Sequence, residues 1–429
     1  MHLLLIHQNF PGQFRDLAPA WLARGHQVTG LGSTSAPERA PRWDGLTYLR
    51  YILDGIEAPS VEERGHAVSE ACRQLQKTGS APDLIMVHTA WGEAQQLRAV
   101  FPTTPLVVFP ELWGHAGALG FGVDQQLTGQ SAEESWFEQE NQLAATAIDE
   151  SDAAIVACEA QRQSFPLPWR DQLTVLPEGL EQEKYGSDPS AELRWNGHTF
   201  AAGQPLVTLV SRNLEPLRGL RQALLAWPAI AAAVPNAQLL LVGDCGQGYG
   251  MELPPAGDNH LSAALKTLPK GVDHQRIHWL GTLDHPRMVR LLQVSACHLA
   301  LSYPYTLSWS VLEAMACGAA LVSNHGSPIA PELIDGHNGL LVPFNDHHAL
   351  AQAVVPSSTP LPADADAWAE RLQALLDSFA RPVLGASEQF RDGESWEALV
   401  LAEAAEGFHR RALHLLQLAS AGGGAGQQS

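Results

Sequence analysis

Apolar residues come along this chain in short unbroken blocks separated by segments of helical periodicity. "LLLI" (3–6), "DLIMVH" (83–88), "PLVVFPE" (105–111), "AAIVAC" (153–158) and "LTVLPEG" (173–179) read as strands. After the turn "HQNFPGQ" (7–13), Phe14, Leu17, Ala18, Trp21 and Leu22 mark one helix face. "RGHQV" (24–28) ends that helix at Gly25 and starts the next strand. "GEAQQLRAVF" (92–101) and residues 132–149 predict two more helices. A second series of strands follows at "PLVTLVS" (205–211), "AQLLLVG" (237–243), "RIHWLG" (276–281), "CHLALSY" (297–303), "AALVSN" (319–324) and "NGLLVP" (338–343). Strands without in–out alternation are buried on both faces, as in a parallel sheet covered by helices. The expected fold is therefore α/β, with two Rossmann-like doubly wound domains facing a cleft. Their boundaries fall at 1–180 and 205–395, joined by a polar, Gly- and Pro-bearing linker over 181–204. A helical segment over 396–419, rich in leucine, and a flexible tail over 420–429 close the chain.

Composition narrows the function classes. The 429 residues suffice for two or three domains, and 45% hydrophobic with 17% charged residues is globular. Net charge is −20, and lysine occurs only at 77, 184, 266 and 270, which argues against a nucleic-acid footprint and a polybasic membrane patch. The opening "MHLLLIHQNF" lacks a basic start and a long apolar core, so no signal peptide is expected, and no run reaches the length of a membrane span. A cytoplasmic location is expected, with peripheral membrane contact left open. The five cysteines, at 72, 158, 245, 297 and 317, form no CxxC pair and read as reduced core thiols.

Several polar groups interrupt the strand ends. Gly12 precedes a helix, where glycine admits a phosphate to backbone amides; taken singly, an ordinary strand-to-helix turn is the commoner explanation. In "SRNLEPLRG" (211–219), Arg212 and Arg218 bracket a loop at a strand's carboxyl end and suit an anion, unless they pair with Glu215. "VGDCGQGYG" (242–250) has the glycines of a nucleotide loop, but no helix follows it, so a mobile loop is expected. His88, Glu93, Glu111 and His115 follow apolar strands and together make an acceptor or general-base site; each alone is an ordinary structural residue. Their spacing is not that of metal ligands. Glu313 is an acid inside the apolar "SYPYTLSWSVLEAMACG" (302–318). Ser310 and Glu313 fit a capping box, with Gly318 ending the helix.

Three stretches together resemble the family 4 glycosyltransferases, retaining enzymes of the two-Rossmann-domain GT-B class. They are "HQNFPGQFRDLAPAWLARGHQV", "SRNLEPLRG" and "SWSVLEAMACGAALVSNHGSPIAPELIDGHNGLLV", and the resemblance covers roughly residues 1–350. It implies that Arg212 and Arg218 bind the donor's diphosphate, Arg218 standing where relatives carry lysine. It implies that Gly12 approaches the same phosphates and that Glu313 clamps the nucleotide ribose. Ser308, Trp309 and Ser310 belong to the implied donor site. The family's second glutamate, eight positions before Glu313, is Tyr305 here, and its loop glycine is Ser308. Glu111 stands where relatives carry a histidine near the reacting sugar, so Glu111 joins the two arginines as a catalytic candidate. His88, Glu93 and His115 remain acceptor-side candidates.

The expected activity is transfer of a hexosyl unit from a nucleoside diphosphate sugar to an unidentified acceptor, with retention. The leaving phosphate takes the acceptor's proton, and neither metal nor cofactor is expected. A non-catalytic sugar-nucleotide-binding homologue is the alternative raised by Tyr305. An NAD-dependent epimerase or dehydrogenase is the weaker one, because the glycine fingerprint opening a helix is missing.

Overall fold

The apolar blocks become the strands of two parallel sheets in the computed structural model, which describes residues 1–34, 42–53, 59–176, 184–246, 248–336 and 338–358. The first sheet contains β1 (His2–Ile6), β2 (Gln27–Ser33), β3 (Leu46–Tyr51), β4 (Leu84–His88), β5 (Leu106–Phe109), β6 (Ala153–Val156) and β7 (Leu173–Val175). Its order is β3-β2-β1-β4-β5-β6-β7, and every pair is parallel. Leu4 and Ile6 of β1 pack on one face with Val68 and Leu97; Leu3 and Leu5 pack on the other with Phe14 and Trp21. Burial on both faces is why β1 is apolar at successive positions.

The stretch expected as a linker holds an antiparallel hairpin, β8 (Glu192–Trp195) and β9 (His198–Ala201). Asn196 and Gly197 turn it with φ of 43° and 80°, the left-handed pair that matches strand twist. Leu193 and Phe200 bury against Leu206, Leu240, Leu280 and Leu291, so the hairpin covers part of the second sheet. Two helix expectations also change. Residues 92–101 yield a helix only at Leu97–Val100, after Gln96 in a left-handed conformation, and 132–149 opens as a 3-10 turn, Glu134–Phe137, before the α-helix Glu138–Glu150. Helix Val61–Lys77, capped by a reciprocal Ser60–Glu63 box, has no counterpart in the sequence reading.

The second sheet contains β10 (Leu206–Asn213), β11 (Gln238–Asp244), β12 (Ile277–Trp279), β13 (Cys297–Ala300), β14 (Ala320–Asn324) and β15 (Leu340–Val342). Its order, β12-β11-β10-β13-β14-β15, is again all parallel. Helix Leu220–Ala233 places Trp227 at the centre of the core on one face. In both sheets the strand order reverses beside the first strand, between β1 and β4 and between β10 and β13. Ligands of open parallel sheets bind outside the carboxyl ends at such a reversal.

The described residues divide into two compact bodies, one of residues 1–114 with 135–176 and the other of residues 115–134 with 184–358. Residues His115–Glu134 lie between β5 and β6 in sequence but are anchored in the second body. Buried Asp124 accepts from Arg221 Nη1 and from the Tyr303 hydroxyl, both at 2.8 Å, and the Gln125 amide donates to Asn345 Oδ1 at 3.0 Å. The expected helical segment 396–419, the tail 420–429 and the end of 205–395 lie outside the described residues. Among the described residues no helix is long and apolar enough to cross a membrane.

Candidate functional site

In the second body the two arginines stand at the strand reversal. The β10–β11 register shifts between Val210 and Asn213, a bulge that re-aims the end of β10, and exposed Arg212 lies on it. Arg218 ends the short turn Pro216–Arg218. Its guanidinium donates to Thr306 O at 2.9 Å and Ser302 Oγ at 3.2 Å, both on the loop after β13. Arg218 also lies 5.5 Å from the Tyr305 ring centroid, while Arg212 lies 5.4 Å from that of Tyr249. Glu215, the alternative partner for both arginines, instead turns its carboxylate to the amides of Tyr249 and Gly250.

The same loop leads into helix Trp309–Ala316, whose N-cap is Ser308. The capping-box expectation is overturned here. Ser310 lies inside the helix, its hydroxyl 2.9 Å from that of Ser308, and Ser308 makes no side-chain cap. The Glu313 carboxylate bonds outside the helix: its Oε1 accepts from the Tyr185 hydroxyl at 3.0 Å and lies 3.2 Å from His285 Nε2. Tyr185 and His285 are themselves 2.9 Å apart, which closes a triangle around a buried carboxylate. Gly318 ends the helix as expected, its amide donating to Met315 O at 3.0 Å and that of Ala319 to Ala314 O at 3.0 Å.

Arg218, Ser302, Ser308 and Ser310 line a small cavity beside apolar Leu307 and Val311, and His298 of β13 closes it. His298 was not singled out in the sequence, although a histidine inside an apolar strand is the signal. Its Nδ1 is 2.9 Å from Thr208 Oγ1, and its buried Nε2 has no partner among the described residues. Burial holds its pKa down at about 4, so the ring is neutral at ordinary pH.

In the first body, Gly12, Gln13, His88 and Glu111 come together at the ends of β1, β4 and β5. Gly12 has φ of 47°, and a Cβ there would lie 2.4 Å from the His7 ring, so the turn admits only glycine. Gln13 Nε2 donates to Glu111 Oε1 at 2.7 Å, and His88 Nε2 lies 3.2 Å from the same oxygen without hydrogen-bond alignment. Glu111 holds φ of 55°, with its carbonyl bonded by Gln161 Nε2 at 2.9 Å. Left-handed backbone in a non-glycine residue costs about 1–3 kcal/mol and gathers at functional sites. Of the four acceptor-side candidates, His88 and Glu111 meet within the first body. Glu93 is buried and accepts from the Tyr51 hydroxyl at 2.8 Å, and His115 belongs to the second body.

Burial pushes the Glu93 carboxyl above its ordinary range, against the smaller pull of the Tyr51 hydrogen bond. Its folded pKa then exceeds its unfolded one, so folding takes up a proton. Stability must fall as pH rises from the ordinary carboxyl range to the raised value. Glu93→Gln should therefore gain on the wild type across that interval, by at most about 1.4 kcal/mol per pH unit. Melting curves at stepped pH check this, and parallel curves for the two proteins would refute it.

Comparison with known proteins adds to this geometry. Residues 25–184 match the model described as "Glycosyl transferase family 4 group" and residues 204–356 the one described as "Glycosyl transferases group 1". A GDP-mannose-dependent alpha-(1-6)-phosphatidylinositol monomannoside mannosyltransferase of Mycolicibacterium smegmatis is 25% identical over 186 residues, which is 42% of this chain and 46% of that enzyme. Alpha-maltose-1-phosphate synthase of the same species is 25% identical over 285 residues, 59% of this chain and 68% of the synthase. The chain thus matches about half the length of the first of these relatives. Sucrose-phosphate synthase from Thermosynechococcus elongatus superposes with a TM-score of 0.62 at 18% identity, covering 90% of this chain and 100% of that one. Anabaena Alr3699/HepE in complex with UDP-glucose superposes at 0.60 and 17% identity, covering 89% and 95%. At these identities the structural likeness shows the fold.

Proposed function

Because the chain belongs to the family 4 glycosyltransferases of the GT-B fold, we propose that it moves a hexosyl unit from a nucleoside diphosphate sugar to an acceptor, with retention and without a metal. The observation that carries this reading is the pairing of Arg212 and Arg218 at the reversal of the second sheet, with Arg218 bonded to the loop that leads to Glu313. Two guanidiniums there meet the charge that builds on a departing diphosphate, where fixed donors gain most in the transition state. The amides around Ser308–Ser310 add the positive end of a helix. Glu313 serves as the ribose clamp, and the family resemblance assigns Gly12 to donor-phosphate binding. The leaving phosphate itself accepts the acceptor's proton. His88 and Glu111 are the acceptor-side pair; Gln13 donates to the Glu111 carboxylate and Gln161 to its backbone carbonyl, which supports a fixed position for it.

Tyr305 favours a second reading, a homologue that binds sugar nucleotides without transferring them, since an aromatic ring stands where a carboxylate would meet the hexose. A panel that includes UDP-glucose and GDP-mannose separates the two by release of nucleoside diphosphate. Under either reading the bare diphosphate should bind nearly as well as its sugar-bearing donor, and Tyr305→Glu should widen that gap. Release of diphosphate with any donor supports transfer or hydrolysis. Binding without release supports the homologue, and a strong sugar preference that survives in Tyr305→Glu removes Tyr305 from hexose recognition.

A further inference from the structure

The glycine-rich loop after β11 is held from beneath by one buried carboxylate. Glu215, 3% exposed, accepts the Tyr249 amide at 3.1 Å and the Gly250 amide at 2.8 Å. A Cβ at position 248 would lie 2.2 Å from that carboxylate, and one at position 250 would lie 2.9 Å from it. The glycines therefore make room for Glu215, and the carboxylate fixes the backbone on which Tyr249 stands. Tyr249 itself is 42% exposed. Its hydroxyl oxygen accepts from Arg212 Nη1, and its ring lies 5.8 Å from that of Tyr305, which faces Arg218.

A hydroxyl that accepts from a guanidinium keeps its own proton to donate, and the guanidinium has no lone pair to receive it. Among the described residues no acceptor for that proton is found. Tyr249 is exposed, so that proton is free to go to solvent or to an anionic oxygen bound beside Arg212. We propose that Tyr249 is a further diphosphate ligand, donating its phenolic O–H to the phosphate that Arg212 contacts, with Glu215 as the residue that positions it. This rests on the reading of Arg212 and Arg218 as the diphosphate site, and it gives the loop a role other than a dinucleotide fingerprint.

Calorimetric titration of UDP, GDP, ADP and inorganic pyrophosphate into the full chain tests it, alongside Tyr249→Phe, Arg212→Ala, Arg218→Ala and Glu215→Gln. Tyr249→Phe keeps the ring over Arg212 and removes only the hydroxyl. It should weaken the best-bound diphosphate about 10- to 100-fold, the range for one hydrogen bond to a charged group, with an unchanged melting temperature. Uridine or guanosine, which lack phosphate, should bind both proteins equally. Glu215→Gln should weaken the diphosphate too, but add little in the Tyr249→Phe background, whereas a merely structural Glu215 would add its full loss there. If Tyr249→Phe binds like the wild type while Arg212→Ala does not, Tyr249 is only a packing partner and the proposal falls alone. If both arginine variants bind like the wild type, the diphosphate reading falls and takes the proposal with it.

Discussion

Replacing Arg212 or Arg218 by alanine should lower turnover by about 10- to 100-fold each, from about 1.5–3 kcal/mol per hydrogen bond to a charged group. The loss should fall more on kcat than on donor affinity, because charge builds on the leaving diphosphate and both contacts strengthen in the transition state. The double variant should lose less than the product of the single losses, since the two guanidiniums act on one anion. They reach it from different supports: Arg212 from a strand bulge against Tyr249, and Arg218 from a turn bonded to Ser302 and Thr306. Initial rates at saturating and limiting donor distinguish kcat from KM. Activity should persist in EDTA; loss on chelation would move the counter-charge to a cation, and full activity in both alanine variants would move the phosphate site elsewhere.

Glu313→Gln is expected to weaken nucleoside diphosphate binding by about 10- to 100-fold while leaving the melting temperature nearly unchanged. The fold tolerates the change because the amide oxygen of glutamine still accepts from the Tyr185 hydroxyl. The lost negative charge is what a pair of ribose hydroxyls would have felt. Since Ser310 and Glu313 form no capping box, a stability loss would come from buried contacts such as the Tyr185–His285 triangle. Binding of UDP and GDP, followed together with thermal melting, reads both quantities. A destabilised variant with wild-type affinity would make Glu313 a structural residue of the second body.

Much of the site was visible in the sequence because it sits where local pattern changes. Arg212 directly follows an apolar run and Gly12 lies in the turn after one, so their place near strand ends needed only the pattern of the chain. The capping box at Ser310 failed for the converse reason. The motif is satisfied by spacing alone, yet the helix starts one residue earlier than Ser310, at Trp309, and draws the carboxylate toward Tyr185, 128 residues away in sequence. The hairpin at 192–201 lies where the sequence reads as linker: Asn196-Gly197 between two short runs is its signal, but the polar residues around it hid a buried pair, Leu193 and Phe200.

By itself the sequence determined the alternation of strands and helices, the burial of the strands on both faces, and the strand-end positions of Gly12, Arg212 and Glu111. Those follow from side-chain direction, which repeats every two residues in a strand and every three or four in a helix, so neighbouring residues suffice to reveal it. Only the tertiary structure decided which groups meet: Tyr185 and His285 with Glu313, Glu215 beneath the glycine loop, and His115–Glu134 with the second body. These contacts depend on strand order and loop closure, and a buried carboxylate or orphan amide takes whichever complementary group the closed fold brings within reach, however distant in the chain.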